Sequence, residues 1–159
     1  MAFLAYSTSP YIQTHIIDSP EADYLYVMLS QIEQAGDGLY TAIDIYEEEI
    51  ISLFKGKVIT TIEAKRRVSQ NADQYFINLL DGTIMDCMHA TCFAKYANDA
   101  EGLSKSKFKN NAEITLDDDD RVCLKAIRHI SAGEEVFCNY GRPYWVKHGR
   151  GTKRSDNVL

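Results

Sequence analysis

The sequence predicts a β-rich domain of several small sheets with short helices. Short runs rich in aromatic and β-branched residues recur along the chain, separated by polar or glycine-containing breaks. These predicted strands cover residues 24–30, 38–44, 48–54, 57–61, 75–80, 83–87, 112–116 and 121–127. Only residues 62–71 and 91–98 have the pattern of a short helix or a helical turn. Many short strands with brief helices favour small sheets over a helical bundle.

Two hairpins are predicted from the turns between these runs. Asp81-Gly82 separates the fifth run from the sixth, and an Asp-Gly pair in that position is typical of a tight hairpin turn. Four aspartates at 117–120 separate the last two runs. They are interpreted as a solvated turn, and the alternative is an electrostatic guide for a substrate rich in lysine and arginine.

The length of 159 residues fits one domain with a buried core, and the content of 45% hydrophobic and 25% charged residues places the chain among ordinary globular proteins. Residues 24–145 are the predicted domain. Residues 1–23, which contain Pro10 and Pro20 and have little pattern, are predicted to form a flanking arm. The basic residues 146–159 are predicted to form a tail.

Composition also limits the compartment and the partners. The chain has no apolar run near the ~20 residues of a membrane helix, and its first ten residues lack the features of a signal peptide. Its four cysteines form no CxxC pair and its four histidines are scattered, so we expect no metal and a reduced, intracellular compartment. The net charge of −6 favours a basic peptide over a nucleic acid as partner, and we expect no membrane partner. The oligomeric state stays open.

Four motifs follow one another along the chain. The first is a GxG at Gly36-Asp37-Gly38, followed by an aromatic-bearing strand, and the second is FKGKVI at 54–59. The third combines MDC at 85–87 with FAKYAND at 93–99, and the fourth is LKAIRHISAGEEVFCNYG at 124–141. A lone GxG usually marks a tight turn, so the inference depends on the order of all four motifs.

In this order the motifs resemble those of the SET-domain protein lysine methyltransferases, over about residues 24–145. The stretch 126–141 is similar to the closing pattern of that family, and Asn98-Asp99 lies where the family usually has Asn-His. The resemblance implies a SET-like fold with a C-terminal pseudoknot, in which the closing segment passes through a loop formed by an earlier one. It also implies an enzyme that transfers a methyl group from S-adenosylmethionine to a lysine side chain.

The resemblance further implies a set of cofactor-binding residues. These are Gly36, Asp37, Gly38, Leu39, Tyr75, Asn98, Asp99, Tyr140 and Trp145. Backbone groups of the glycine motif would contact the methionine end of the cofactor, where glycine permits a close approach. Asn98 would hydrogen-bond the cofactor, while the Asp99 backbone and the Trp145 ring would lie against the adenine.

The lysine is expected to enter a channel with aromatic walls, which hold a methylammonium group well and align the lone pair of the amine. The resemblance makes Tyr140 the active-site tyrosine, which would orient the amine. Tyr75 is the second catalytic candidate, because its hydroxyl needs a partner if buried. Phe54, Cys138 and Tyr144 are the expected substrate contacts. The small side chain at position 138 leaves room in the channel, which favours di- or trimethylation.

Two departures from the family pattern leave a second function open. Asp99 replaces the usual His and Ala100 the usual Ser, ahead of a lysine-rich insertion at 100–110. The alternative is therefore a catalytically inactive SET-like module that only binds basic peptides. For the enzyme, the expected substrate is a protein or peptide rich in lysine and arginine, with a histone tail preferred, and a histone substrate would imply a nuclear location.

Overall fold

The computed structural model describes residues 16–102 and 106–149 of the chain. Its strands are β1 (Leu25–Leu29), β2 (Asp37–Thr41), β3 (Ile50–Leu53), β4 (Lys57–Ile59), β5 (Phe76–Asn78), β6 (Ile84–Asp86), β7 (Ala112–Leu116), β8 (Val122–Ala126) and β9 (Glu135–Val136). Its helices are α1 (Glu21–Tyr24), α2 (Thr61–Ser69) and α3 (Arg142–His148), with a 3-10 turn at Ala94–Tyr96. None of these described helices has the length and apolar character needed to cross a membrane.

The described strands form three small antiparallel sheets. Their strand orders are β1-β2-β9, β3-β8-β7 and β4-β6-β5. The main core lies between the first two sheets and the 3-10 turn, and its fully buried side chains include Leu39, Ile51, Leu124 and Val136. Small sheets with few short helices confirm the predicted β-rich, SET-like class.

Both predicted hairpins are present. Between β5 and β6, Gly82 has a φ of +82°, and Asp81 Oδ1 accepts a hydrogen bond from the Thr83 backbone N–H at 2.8 Å. Between β7 and β8, Asp117 Oδ1 accepts from the Arg121 backbone N–H at 2.8 Å. The other three aspartates of the run are exposed, but Asp117 is buried and closes the turn. The aspartate run is therefore a hairpin turn with one structural carboxylate.

The described parts of the predicted arm and tail contact the domain. Ile16 forms a parallel bridge with Ile50, and the Glu21 carboxylate accepts a hydrogen bond from the Leu53 backbone N–H at 2.9 Å. At the other end, α3 continues across the predicted boundary after Trp145. The remainder of the predicted arm and tail, 1–15 and 150–159, and residues 103–105 of the predicted insertion lie outside the described residues.

The closing segment, residues 135–141, lies between two earlier segments of the chain, one at Asn98 and the other at Ala112. Phe137 forms a parallel bridge with Asn98 on one side, and Cys138 forms one with Ala112 on the other. The Asn111 side chain is completely buried and bonds the closing backbone at both Glu135 and Phe137. This arrangement brings the end of the chain to the 97–99 segment, as expected for the SET-like fold.

A buried carboxylate connects β9 to the glycine motif. Glu135 is completely buried and accepts hydrogen bonds from the Ser30 hydroxyl at 2.6 Å, the Gln31 backbone N–H at 2.7 Å and the Tyr40 hydroxyl at 3.0 Å. Burial and the hydrogen bond to Glu135 raise the pKa of Tyr40 to about 12. A Cβ atom on Gly38 would overlap with Glu135 Oε1. Glycine is therefore required at position 38 to make room for this carboxylate.

We expect Gly38→Ala to lower the free energy of unfolding by about 1–3 kcal/mol, because the added methyl group overpacks the space beside Glu135. Urea unfolding of the variant measures the loss. Glu135→Ala removes the clashing group. In that background, Gly38→Ala should lower the free energy of unfolding by less than it does in the wild type. Equal costs of Gly38→Ala in the two backgrounds would contradict this packing explanation.

Candidate functional site

A cavity of about 860 Å³ opens where the glycine motif, the 94–99 segment, the closing segment and α3 meet. This volume lies within the usual ~300–1,000 Å³ of small-molecule sites. Ten of the twelve site residues expected from the sequence line it. They are Gly36, Asp37, Phe54, Tyr75, Asn98, Asp99, Cys138, Tyr140, Tyr144 and Trp145. The chain therefore brings most of the expected residues to one cavity.

The glycine motif faces the cavity with its first half only. Gly36 has a φ of +79°, a conformation that glycine adopts without strain, and Gly36 and Asp37 line the cavity. Gly38 instead packs against Glu135, and Leu39 is completely buried in the main core. Neither is among the residues that line the cavity. The local role of Gly38 is thus to admit the buried carboxylate.

The Asn98 side chain links the glycine motif to the closing segment. Its Nδ2 donates to the Asp37 carbonyl oxygen at 2.9 Å and to Glu135 Oε1 at 3.5 Å. Its backbone carbonyl accepts from the Cys138 N–H at 2.8 Å. Within the described part of the chain, no group donates to its side-chain oxygen. Asn98 therefore offers the cavity a hydrogen-bond acceptor in a fixed orientation.

Tyr140 has its hydroxyl group anchored at the wall of the cavity. The hydroxyl donates to the Ala97 carbonyl oxygen at 2.7 Å. Burial raises the pKa of Tyr140 well above 10, and the nearby Cys138, Tyr144 and Asp99 act in the same direction. The hydroxyl is therefore neutral at physiological pH, with its proton directed to Ala97 and its remaining lone pairs available for an acceptor role.

The other expected channel residues surround Tyr140 with different exposures. Tyr75 is 40% exposed at the rim, whereas Cys138 is 1% exposed at the inner wall. Burial raises the pKa of the Cys138 thiol, so this group is neutral. Phe54 lies partly buried between the main core and the cavity. Aromatic groups and a small neutral thiol therefore form this side of the cavity.

Helix α3 adds an aromatic wall, which we define as Tyr144 and Trp145. The Trp145 ring stacks on Tyr140 with centroids 5.7 Å apart and an interplanar angle of 19°. Tyr144 packs edge-on against Tyr140 at 4.8 Å and against Trp145 at 5.1 Å. Trp145 Nε1–H donates to Asp99 Oδ2 at 2.8 Å. The wall is thus part of the cavity rather than of the main core.

Several lining residues were not predicted from the sequence. Lys95 and Tyr96 line the cavity a short distance before Asn98 in the chain, and Lys95 Nζ donates to the Met88 and Ala90 carbonyl oxygens. Their place in the FAKYAND motif was the signal that could have identified them. Gln74 lines the cavity beside Tyr75 without any such motif. Within the described ranges, no group of three or more His, Cys, Asp or Glu residues could hold a metal ion.

The chain belongs to the SET domain family, whose model matches residues 36–141. Methyltransferases of this family use S-adenosylmethionine as methyl donor. One relative is the histone-lysine N-methyltransferase EZH2 of Chaetomium thermophilum (strain DSM 1495 / CBS 144.50 / IMI 039719), 30% identical over 125 residues. The match covers 70% of this chain and 8% of EZH2, so the chain spans less than a tenth of that relative's length.

Solved structures of the Chaetomium thermophilum Polycomb Repressive Complex 2 (ctPRC2) resemble the fold of this chain. A humanized mutant of the Chaetomium thermophilum Polycomb Repressive Complex 2 bound to the inhibitor GSK126 has a TM-score of 0.62 and 30% identity, and covers 74% of this chain and 15% of that chain. The ctPRC2 complex in an autoinhibited conformation bound to S-adenosylmethionine has a TM-score of 0.61 with the same identity and coverage. These likenesses agree with the family assignment.

We expect the domain to lose stability above about pH 10. Burial raises the pKa of Tyr24 and Tyr40 to about 12 and that of Tyr140 well above 10, whereas unfolded tyrosines ionise near their ordinary value. The unfolded state therefore releases protons first, and the stability present below pH 10 is lost as the pH rises. Urea unfolding at about pH 8 and pH 10.5 measures the fall, which should be smaller in Tyr140→Phe. A constant free energy of unfolding over this range would show that these hydroxyls ionise normally.

Proposed function

We propose that this domain transfers a methyl group from S-adenosylmethionine to the side chain of a lysine in a protein substrate. The supporting observation is the convergence of three separate segments on one cavity. Gly36-Asp37, Asn98 and Tyr140 come from different parts of the chain and all line it. The closing segment bonds to the 97–99 segment directly, so the cofactor-side and tyrosine-side groups are held together.

The residues at the cavity fit the family's cofactor. The backbone of Gly36 and Asp37 and the side-chain oxygen of Asn98 would bind its polar methionine end, and the Trp145 ring would pack on its adenine. Gly36 leaves open space where a Cβ atom would be, so a ligand can approach the backbone closely. The cofactor would supply an electrophilic methyl group on a sulfonium.

A lysine must lose its proton before it can attack this methyl group. With an ordinary pKa of about 10.4, deprotonation at pH 7 costs about 4–5 kcal/mol. The channel lowers that cost, because burial between aromatic side chains and proximity to a cation both disfavour the ammonium form. Phe54, Tyr75 and Tyr144 supply these walls. The proton would leave to water through the open side of the cavity.

The proposed role of Tyr140 is to orient the amine rather than to accept its proton. Its pKa is raised by burial, so no tyrosinate is present near neutral pH. Because its proton is donated to the Ala97 carbonyl oxygen at 2.7 Å, its oxygen keeps lone pairs that can accept a hydrogen bond. Such an acceptor would hold an N–H of the amine and align the nitrogen lone pair with the methyl group.

We further propose a lysine- and arginine-rich peptide, with a histone tail as the first candidate, as the substrate. Two observations support this choice: the net charge of −6 favours basic partners, and the relative with 30% identity is named a histone-lysine N-methyltransferase. A histone substrate would place the protein in the nucleus. We propose neither nucleic acid nor membrane as a direct ligand of the cavity.

Two measurements test the proposed function. Transfer of a radiolabelled methyl group to histones, or to another member of a panel of basic proteins, would support it, and mass spectrometry would locate the modified lysine. Titration calorimetry with S-adenosylmethionine separates the enzyme from the inactive peptide-binding module. Absence of binding at high micromolar cofactor would exclude the enzyme and leave the inactive module.

Tyr140→Phe should reduce kcat by about 100-fold while cofactor affinity stays within about threefold of the wild type, because the amine loses its orienting acceptor. The ring and its stacking are retained, and one hydrogen bond of about 1 kcal/mol is lost. Steady-state methylation and calorimetry measure the two quantities. Tyr46→Phe, at a tyrosine that is 60% exposed and outside the cavity, is the matched control. Near-wild-type turnover of Tyr140→Phe would remove the tyrosine from the mechanism.

Cys138→Tyr should shift the products toward monomethyl-lysine. Cys138 is 1% exposed and lines the cavity, so a larger side chain must extend into the channel and occupy the space of a second methyl group. Mass spectra of the peptide product measure the distribution. Cys138→Ala, which keeps the channel open, is the control and should retain the wild-type distribution. The same distribution in all three proteins would place the size limit elsewhere.

A further inference from the structure

We propose that Asp99 is a positioning residue that fixes the aromatic wall, Tyr144 and Trp145, and couples it to Tyr140. Its link to cofactor binding rests on the proposed function. The family usually has a histidine at this position, so the inference concerns a departure from the family pattern. Asp99, although it departs from the family pattern, then has a structural role in the site and is not a sign of lost activity.

Asp99 is 6% exposed, and its carboxylate accepts four hydrogen bonds. Oδ2 accepts from the Tyr140 backbone N–H at 3.0 Å and from Trp145 Nε1–H at 2.8 Å. Oδ1 accepts from the Glu101 backbone N–H and from Asn110 Nδ2, each at 3.0 Å. One oxygen therefore joins the closing segment to the wall, and the other fixes the carboxylate to the loop that follows Asp99.

Helix α3 needs such an anchor because none of its residues is buried. A helix of seven residues is too short to be stable on its own. The contacts that hold it are the ring stacking on Tyr140, the bond to Asp99, and an ion pair from Lys147 to the buried Asp73, whose carboxylate also lies 3.6 Å from His148 Nε2. Of these contacts, the one to Asp99 holds the Trp145 ring through a directed hydrogen bond.

The surroundings of Trp145 confine its ring once this hydrogen bond is made. A Cβ atom on Gly102 would overlap with the indole, so the ring occupies the space that this glycine leaves. Tyr140 covers one face of the ring and Tyr144 meets it edge-on. The indole thus has one orientation in which its N–H reaches Asp99 and its ring lines the cavity.

A histidine could not replace Asp99 in this role. A neutral imidazole has a single acceptor nitrogen, whereas Asp99 accepts two hydrogen bonds on each of two oxygens. Hydrogen bonds to a carboxylate are also about twice as strong as those between neutral groups. The aspartate therefore holds the Tyr140 backbone and the Trp145 indole at the same time.

Intrinsic fluorescence provides a direct test, because Trp145 is the single tryptophan of the chain. In Asp99→Ala, we expect red-shifted emission and increased acrylamide quenching in the absence of cofactor, because the indole is no longer held. We also expect about tenfold weaker binding of S-adenosylmethionine by calorimetry, as for the loss of a charge-assisted hydrogen bond. These readouts are taken under conditions where circular dichroism shows each variant to be folded.

Asp117→Ala is the matched control. Asp117 is likewise buried and accepts hydrogen bonds, from the Asp119 and Arg121 backbone N–H groups, but it does not line the cavity. Its removal should lower stability without changing Trp145 emission or cofactor affinity. If both variants change both readouts equally, Asp99 has only a general structural role and the proposal is overturned.

Asp99→Asn tests the proposal if the alanine variant does not fold. Asparagine retains one accepting oxygen, so it should shift the emission and weaken cofactor binding in the same direction but by less. An Asn variant identical to the wild type in both readouts would overturn the proposal. If the wild type binds no S-adenosylmethionine, the proposed function fails while the fluorescence comparison still decides whether Asp99 fixes the wall.

Discussion

The position of the closing segment depends on the buried amide of Asn111. Its Nδ2 donates to the Glu135 carbonyl oxygen and its Oδ1 accepts from the Phe137 N–H, each at 2.8 Å. The side chain thereby provides hydrogen-bond partners for a backbone that has only short strand pairing. Since Tyr140 follows three residues after Phe137, the same amide fixes the tyrosine relative to Asn98. The cavity and its wall exist only while this segment is in place.

The parts of the fold that could be predicted are those determined by local chemistry. Asp81-Gly82 specifies the turn of one hairpin, because glycine adopts the positive φ and aspartate caps the turn within two residues. The strands around the aspartate run are equally local. Helix α3 also had a signal, with Pro143 in its first turn and Gly149 at its end, but the predicted boundary divided it.

The rest could not be derived from local patterns, because it depends on contacts between distant residues. Gly38 reads as part of a cofactor loop, yet its missing side chain makes room for Glu135, almost a hundred residues later. Asp99 reads as a departure from the family pattern until Tyr140 and Trp145 are seen to share its oxygen. The family resemblance predicted that the motifs converge. The structure explains why Gly38 and Asp99 occupy their positions.

The aromatic wall lies far from the glycine motif in the sequence, and this separation has a consequence for biosynthesis. Gly36 is translated more than a hundred residues before Trp145, so a growing polypeptide has no complete cavity until α3 has left the ribosome. A small molecule stabilises only the state that binds it. Ligand-dependent stabilisation of this domain can therefore begin only after α3 has docked.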